Sequence, residues 1–189
     1  MNARVFIPVD KAAFYRFIAT EPEGRYEFER GRIVQQMTGG TQNHFRIAQR
    51  FTLMLLAQFD AAKWAVLQDW GVETPKTVRF GDVVVFPAGE PGTSVSTERP
   101  AVVIEILSPS SIKRDLDIKP SEYLALDTLC AYIVASQTEA ACLAWVRGAD
   151  GTFPAEPVEC AGDDVIAIPR LGVALNVAEI YRGPGIRWA

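Results

Sequence analysis

The sequence predicts an α/β (α+β) fold in which helices flank a mixed central β-sheet. Two short runs, 82–86 (DVVVF) and 101–107 (AVVIEIL), are nearly continuous in β-branched and apolar residues, which is typical of strands covered on both faces. Residues 42–59 have the apolar periodicity of an amphipathic helix. The polar loop between the two runs is rich in Gly, Pro and Ser and is therefore expected to be exposed.

The segments before these runs predict a helix and a hairpin. Residues 10–20 have the spacing of a short helix, and Asp10 is placed to cap it. Residues 25–37 predict a hairpin, because aromatic residues alternate with glutamates and Gly31 supplies the turn.

The helix over 42–59 is the clearest element of the sequence. Asn43 is the expected N-cap. One apolar stripe of this helix consists of Phe45, Ala48, Thr52, Leu55 and Leu56. A strand near 64–70 and a turn region with Pro, Lys and Thr are expected to follow.

The second half of the chain predicts one more helix and further strands. Residues 115–127 are predicted to be helical, and 131–136 and 142–147 to be strands. Tyr132 and Trp145 in these strands could stack on nucleic-acid bases, but packing in the core is the favoured interpretation. The remaining tail predicts a peripheral hairpin and a terminal helical turn.

Length and composition suit one domain with a sizeable core, since the chain has 189 residues and 49% hydrophobic content. We expect an N-terminal helix and hairpin over 1–40, a core over 41–147 and a C-terminal appendage over 148–189. No apolar run approaches the ~20 residues that span a bilayer, and the start of the chain lacks a signal-peptide pattern. The expectation is therefore a cytoplasmic protein without membrane association.

Two bulk properties bear on the kind of site. Three scattered cysteines without a CxxC pair, and a single histidine, argue against a Cys/His zinc site. The net charge of −4 argues mildly against a broad nucleic-acid-binding surface. It does not exclude a nuclease, because an acidic metal site itself lowers the net charge.

Glu105 and Asp82 are the residues that most need an explanation. Glu105 lies within an apolar strand, where an unpaired carboxylate is costly to bury. Asp82 opens the other apolar run, so two carboxylates on adjacent strands would repel each other unless a cation lay between them. Their hard oxygen ligands suit Mg²⁺ or Mn²⁺, which assist phosphodiester hydrolysis. The alternative is structural, with Asp82 capping a strand end and Glu105 paired with an arginine.

The residues after Glu105 resemble a known family. Glu105-Ile-Leu-Ser-Pro-Ser-Ser111, followed by Asp115, Lys119 and Tyr123 at intervals of four, resembles the Uma-two family of restriction-endonuclease-like proteins in the PD-(D/E)XK nuclease superfamily. The likeness extends over roughly residues 20–181. It includes Tyr26–Val34, the Asn43-His44 helix start, Gly81–Val85, Ala131–Val134 and the tail from Leu171 to Tyr181.

This resemblance implies a restriction-endonuclease-like core and assigns roles to the acidic pair. Asp82 and Glu105 would be catalytic metal ligands, and Lys119 would reach in from the following helix to orient water or to stabilise negative charge. Leu107 occupies the position where the superfamily usually has its lysine. Glu27 matches an early acidic position of the family, where it would complete the metal shell. An exposed hairpin glutamate is its other interpretation.

Two further residues match the family pattern. His44 would contact phosphate or act as an acid/base group, since histidine exchanges protons near neutral pH; the alternative is an ordinary residue of a helix start. Asp115 would cap the helix that carries Lys119 or pair with that lysine at i, i+4.

The sequence departs from the family at two positions. Gly81 replaces the proline that usually precedes the first aspartate, which loosens the chain without removing a ligand. Pro120 directly follows Lys119 and disfavours helical geometry for that lysine, which makes its reach toward Glu105 the least secure of the three.

Three functions follow as hypotheses. The leading one is a Mg²⁺- or Mn²⁺-dependent endonuclease that hydrolyses phosphodiester bonds in DNA, acting as a homodimer because cutting both strands favours two-fold symmetry. The second is a non-catalytic nucleic-acid-binding or protein-interaction module on the same fold. The third is a metal-dependent hydrolase of a small phosphoester.

Overall fold

The structure, a computed structural model, describes residues 8–21, 23–36, 39–108, 112 and 114–182. Its helices are α1 Lys11–Thr20, α2 Gln42–Leu56, α3 Lys119–Tyr123 and α4 Val177–Tyr181, and a π-helical turn Arg114–Ile118 precedes α3. The first strands are β1 Tyr26–Glu29, β2 Arg32–Gln35, β3 Trp64–Glu73, β4 Thr77–Pro87, β5 Ser96–Thr97 and β6 Val102–Leu107. The later strands are β7 Ala131–Ser136, β8 Ala141–Val146, β9 Val158–Ala161, β10 Val165–Ile168 and β11 Val173–Asn176.

The central sheet is built around the long strand β4. The order along the sheet is β2-β1-β4-β6-β7-β8-β9, while β3 pairs with β4 and with the short β5. The pairs β6–β7 and β3–β5 are parallel, and the other pairs of the described sheet are antiparallel. The predicted fold class, a mixed central sheet flanked by helices, is confirmed.

Helix α2 packs on one face of the sheet, but with a buried face that differs from the predicted stripe. Its buried residues are Ile47, Ala48, Phe51 and Leu55. Phe45 and Leu56, which were expected in the stripe, are exposed. The helix is rotated so that the i, i+4, i+8 row beginning at Ile47 faces the strands.

The start of α2 also differs from the prediction. Thr41, rather than Asn43, is the N-cap, because its hydroxyl accepts from the backbone N–H of His44 at 3.1 Å. The side chain of Asn43 instead donates to the backbone carbonyl of Gln137 at 3.1 Å. A threonine two residues before the expected cap satisfies the same orphan donor.

The opposite face of the sheet carries an aromatic core. Tyr132 and Trp145 are buried and stacked, with ring centroids 5.6 Å apart. They pack with Tyr123 and Leu129 beneath α3. The interpretation of Tyr132 and Trp145 as packing residues is confirmed.

Two predicted boundaries are wrong in ways that matter for the site. Strand β4 begins at Thr77, so Asp82 lies within the strand rather than at its start. The helix predicted over 115–127 is a π-helical turn followed by the short α3, which ends at Tyr123. Pro120 lies in the first turn of α3, where its missing N–H removes no helical hydrogen bond.

The C-terminal part contributes to both the sheet and its cover. Strand β9 pairs with β8 and so extends the central sheet, whereas β10 and β11 form the expected separate hairpin. Helix α4, the expected terminal helical turn, follows and packs on α2. The segments 1–7 and 183–189 of the predicted N- and C-terminal parts lie outside the described residues, as does the end of the predicted hairpin at residue 37.

None of the helices in the described ranges has the length and apolar character required to cross a membrane.

Candidate active site

The candidate site lies between two strands that pair with different parts of the same edge of β4. Strand β1 pairs with β4 at 77–78 and β6 pairs with it at 83–85, while residues 79–82 between them pair with neither. We call residues 79–82 the fork. Extending the two registers by one position puts Glu27 and Glu105 on its two sides. Carboxylates therefore border a stretch of backbone that lacks a partner strand on this edge.

Asp82 closes one end of the fork. Its Oδ2 accepts from the backbone N–H of Ile106 at 2.7 Å, which replaces the strand pairing lost there. Its Oδ1 lies 3.2 Å from Nε2 of His44 at the start of α2. Burial alone would raise the pKa of Asp82, but the interactions with His44 and Ile106 outweigh it and hold the pKa below the ordinary value. Asp82 is therefore held as a carboxylate.

The pH dependence of stability should show that the folded protein holds Asp82 as a carboxylate. Because the folded-state pKa of Asp82 is lowered, its stabilisation is present above the ordinary pKa of 3.8 and is lost as the pH falls through the folded value. We expect Asp82→Asn to lower the melting temperature at about pH 7 more than at about pH 3. The exposed Asp163→Asn is the matched control. Equal losses for Asp82→Asn at both pH values would contradict this reasoning.

The side chain of Lys119 approaches the fork from the face of the sheet opposite α2. Its Nζ lies 2.8 Å from Oε1 of Glu105 and 3.0 Å from Oδ1 of Asp115. All three side chains are buried, Glu105 being 3% and Lys119 4% exposed. The structure thus shows the i, i+4 pairing proposed for Asp115, and Glu105 pairs with a lysine rather than with an arginine. The N-cap position of α3 is occupied by Ile118, not by Asp115.

The cluster has more carboxyl groups than basic groups. Burial, together with Asp115 and Asp82, raises the pKa of Glu105 well above its ordinary value although Lys119 acts in the opposite direction. Burial alone would lower the pKa of Lys119, but Glu105 and its other neighbours raise it well above the usual range. Lys119 therefore stays protonated, and the surplus of carboxyl groups around it favours binding of a proton or of a further cation.

Glu27 on the other side of the fork is held by a buried arginine. Arg79 is 2% exposed, and its Nη1 donates to Glu27 at 3.0 Å and to Glu29 at 2.6 Å. Its Nε donates at 2.5 Å to Glu122, a residue of α3. Arg114 lies 3.8 Å from Glu27. Glu27 is thus buried rather than an exposed hairpin residue, and Arg79 joins β1, β4 and α3 at one point.

Position 81 leaves little room for a side chain. A Cβ atom at this position would lie 2.8 Å from Cγ2 of Val84 and 3.1 Å from Cγ1 of Val103. Both neighbours are stiff, β-branched side chains in the core between β4 and β6. A side chain at position 81 would push these strands apart beside Glu105, whose Oε1 would lie 3.9 Å from the added atom.

A cavity of about 800 Å³ opens over the fork. It is lined by residues from β1, β2, α2, β4, β6, the π-helical turn and α3, and we call it the fork cavity. Its charged and titratable lining residues are Arg25, Glu27, His44, Asp82, Glu105, Arg114, Asp115 and Lys119. All six residues selected from the sequence therefore line one cavity, together with two arginines that were not selected.

The donor set suits a hard divalent cation, although its present arrangement does not enclose one. Within the described ranges, no three His, Cys, Asp or Glu side chains form a group able to hold a metal ion. Mg²⁺, however, is commonly bound through one or two carboxylates, with water and substrate oxygens completing the shell. Asp82 and Glu105 supply two such carboxylates on one cavity, so the residues fit the ion by chemistry.

Several residues of the site escaped the sequence analysis. Gln137, at the end of β7, donates to the carbonyl of Leu107 at 2.9 Å and accepts from the hydroxyl of Thr41 at 2.5 Å. It therefore fixes the start of α2, and with it His44, to the end of the strand that carries Glu105. Asp69 lies opposite Asp82 on β3 with a φ of 52°, and its carboxylate pairs with Arg25. An aspartate in the left-handed region within a strand is uncommon and is often found near functional sites.

Comparisons with known proteins identify the family and support the fold. The Uma2 family, described as "Putative restriction endonuclease", matches residues 12–178. The fold is similar to the crystal structure of a putative nuclease belonging to DUF820 from Anabaena variabilis ATCC 29413. The TM-score is 0.68 at 14% sequence identity, covering 92% of this chain and 97% of that chain, and at this identity the likeness shows the fold alone. The search of curated proteins gives no match. Because the family match spans most of the chain, this protein belongs to the Uma2 family.

Proposed function

We propose that the protein is a Mg²⁺- or Mn²⁺-dependent endonuclease that hydrolyses phosphodiester bonds in DNA. The observation that carries this proposal is that Asp82, Glu105 and Lys119 line one cavity at the fork of the sheet. Membership of a family described as "Putative restriction endonuclease" supports the same reaction class. The three residues are the catalytic set of the proposal, and Asp82 and Glu105 are its metal ligands.

The side chains around the fork cavity suit an anionic substrate. Arg25 and Arg114 lie on its wall and can contact phosphate oxygens beside the reacting group. Lys119 contributes a fixed positive charge where negative charge develops on the phosphoryl group. His44 can donate a proton from Nε2 or contact phosphate if its interaction with Asp82 is released. When bound, the divalent cation would polarise a phosphoryl oxygen and lower the pKa of a water molecule.

Glu27 and Asp115 have supporting roles in this proposal. Each already neutralises a buried cation, since Glu27 contacts Arg79 and Asp115 contacts Lys119. Removing either would leave that cation with fewer acceptors and would displace the catalytic set. We propose that the protein acts on duplex DNA as a homodimer, because two active sites related by a two-fold axis match the two strands.

The proposal predicts metal-dependent cleavage of DNA. We expect the purified protein to nick or linearise supercoiled DNA with Mn²⁺ or Mg²⁺ and to be inactive with EDTA. Asp82→Ala should abolish the cleavage, whereas the exposed Asp163→Ala should retain it. A wild-type protein that leaves supercoiled, linear and single-stranded DNA uncut with both metals would refute the proposal.

A non-catalytic module on the same fold is the second candidate function. It is favoured by the fact that Lys119 pairs with both Glu105 and Asp115 without an ion. Calorimetry with Mn²⁺ separates the two candidates. The endonuclease requires binding that disappears in Glu105→Ala, whereas the module needs no metal.

A further inference from the structure

Two buried tyrosines beside the site differ in one respect. The hydroxyl of Tyr132 donates to the backbone carbonyl of Asp115 at 2.9 Å. The hydroxyl of Tyr123 has no hydrogen-bond partner among the described residues, although the side chain is 0% exposed. An unsatisfied buried hydroxyl lowers stability, and its presence in a native structure calls for an explanation such as a role in a site.

The position of Tyr123 indicates which group its hydroxyl serves. Asp115, Lys119 and Tyr123 follow one another at intervals of four along the π-helical turn and α3, which puts them on one side of this segment. The ring of Tyr123 is held edge-on to that of Tyr132, with centroids 5.3 Å apart and planes at 69°. Lys119 and Glu105 are the two charged groups that act most strongly on this phenol.

The lysine has one donor more than its known acceptors. An ammonium group carries three N–H donors, and within the part of the chain that the structure describes Lys119 has two carboxylate neighbours, Glu105 at 2.8 Å and Asp115 at 3.0 Å. If Glu105 binds a divalent cation, its negative charge is shared with that ion and its attraction for Lys119 is weakened. The ammonium then needs another acceptor to stay in place.

We propose that Tyr123 is a positioning residue. Its hydroxyl accepts a hydrogen bond from the ammonium group of Lys119 when Glu105 binds a divalent cation. This inference rests on the proposed function. Tyr123 keeps the ammonium of Lys119 at the fork in the loaded state, while Asp115 holds it in both states. Burial raises the pKa of Tyr123 well above its ordinary value, so the hydroxyl stays neutral and adds no negative charge to the site.

Stability separates this role from ordinary packing. Tyr123→Phe deletes only the hydroxyl and keeps the edge-on contact with Tyr132. Because that hydroxyl has no partner among the described residues, the melting temperature should stay the same or rise. Tyr132→Phe is the matched control, and it should lower the melting temperature by about 2–4 °C because it removes a satisfied buried hydrogen bond.

Metal binding and kinetics test the positioning itself. We expect Tyr123→Phe to bind Mn²⁺ about 2- to 12-fold more weakly by calorimetry, as the loss of one hydrogen bond implies. We expect kcat for DNA cleavage to fall about 10- to 100-fold with KM little changed, as for a displaced catalytic group. In a Lys119→Gln background, adding Tyr123→Phe should leave the Mn²⁺ affinity unchanged, since the two residues act together.

Any of the following outcomes overturns the proposal. A Tyr123→Phe protein that binds Mn²⁺ and cleaves DNA like wild type leaves the hydroxyl without this role, and a melting temperature lowered as in Tyr132→Phe makes it structural. A weakening of Mn²⁺ binding that persists in the Lys119→Gln background shows that Tyr123 does not act through the lysine. If the wild type neither binds Mn²⁺ nor cleaves DNA, the proposed function itself has failed, and the inference falls with it.

Discussion

Replacing Glu105 by Gln should reduce DNA cleavage by a factor of about 100 to 1000 or more, the range found when a preorganised electrostatic contact is removed. Glutamine has nearly the same shape as glutamate and can still lie beside Lys119 at the fork. It cannot supply the negative charge that the proposed metal site needs. The cleavage of supercoiled DNA under single-turnover conditions measures the loss.

The difference in melting temperature between Glu105→Gln and wild type should also depend on pH, and it should favour the variant more at neutral pH than in acid. The pKa of Glu105 is raised in the folded protein by burial, with Asp115 and Asp82 adding to the effect. Its favourable contribution is therefore complete below the ordinary value of 4.5 and is lost as the pH rises through the folded value. Glutamine stays neutral throughout, so the melting temperature of Glu105→Gln relative to wild type should increase as the pH rises above this range.

The control for both measurements is Glu159→Gln, an exposed position on β9. It should leave cleavage and the pH dependence of stability unchanged. Cleavage by Glu105→Gln within tenfold of wild type would exclude Glu105 from the catalytic set. A stability difference that does not change with pH would show that burial does not disfavour its ionised form.

Replacing Arg79 by Met should have the largest effect on stability. Arg79 neutralises Glu27, Glu29 and Glu122, and burial would lower its pKa if these carboxylates did not raise it above the usual range. Methionine fills much of the same space but leaves the three carboxylates without their cation. We expect the free energy of unfolding to fall by about 3–5 kcal/mol, the cost of breaking a buried ion pair by removing one partner.

Urea unfolding measures this loss, with Arg170→Met at an exposed position as the control. Adding Glu122→Gln to Arg79→Met should restore part of the stability, because it removes one of the uncompensated charges. A loss for Arg79→Met within about 0.5 kcal/mol of the control, as for ordinary surface substitutions, would show that the cluster does not hold β1, β4 and α3 together.

Local patterns were sufficient for most elements of the fold. The hairpin, α2 and strands β6, β7 and β8 lie close to their predicted ranges, because their apolar periodicity and turn residues are local properties. Glu105 attracted attention for a similar reason, as a charged residue in an apolar run. The Tyr123 hydroxyl could not have been noticed in this way, since tyrosine is an ordinary core residue.

Arg79 shows what local patterns miss. It was passed over because it follows the predicted turn region and precedes the run 82–86, whereas β4 in fact begins at Thr77. Its carboxylate partners are 52, 50 and 43 residues away in the sequence. Gln137 was missed for the same reason, since it connects to Thr41 across 96 residues and to Leu107 across 30.

The sequence by itself determined the fold class, the positions of α1, α2 and the first hairpin, and the residue types that make a carboxylate site plausible, because these depend on neighbours a few positions away. Only the tertiary structure decided that β1 and β6 pair along the same edge of β4, and that Lys119 reaches Glu105 from the first residue of α3. Strand register and the neutralisation of buried charge depend on groups that are distant in sequence and meet only after folding. These long-range contacts bring Asp82, Glu105 and Lys119 to one cavity.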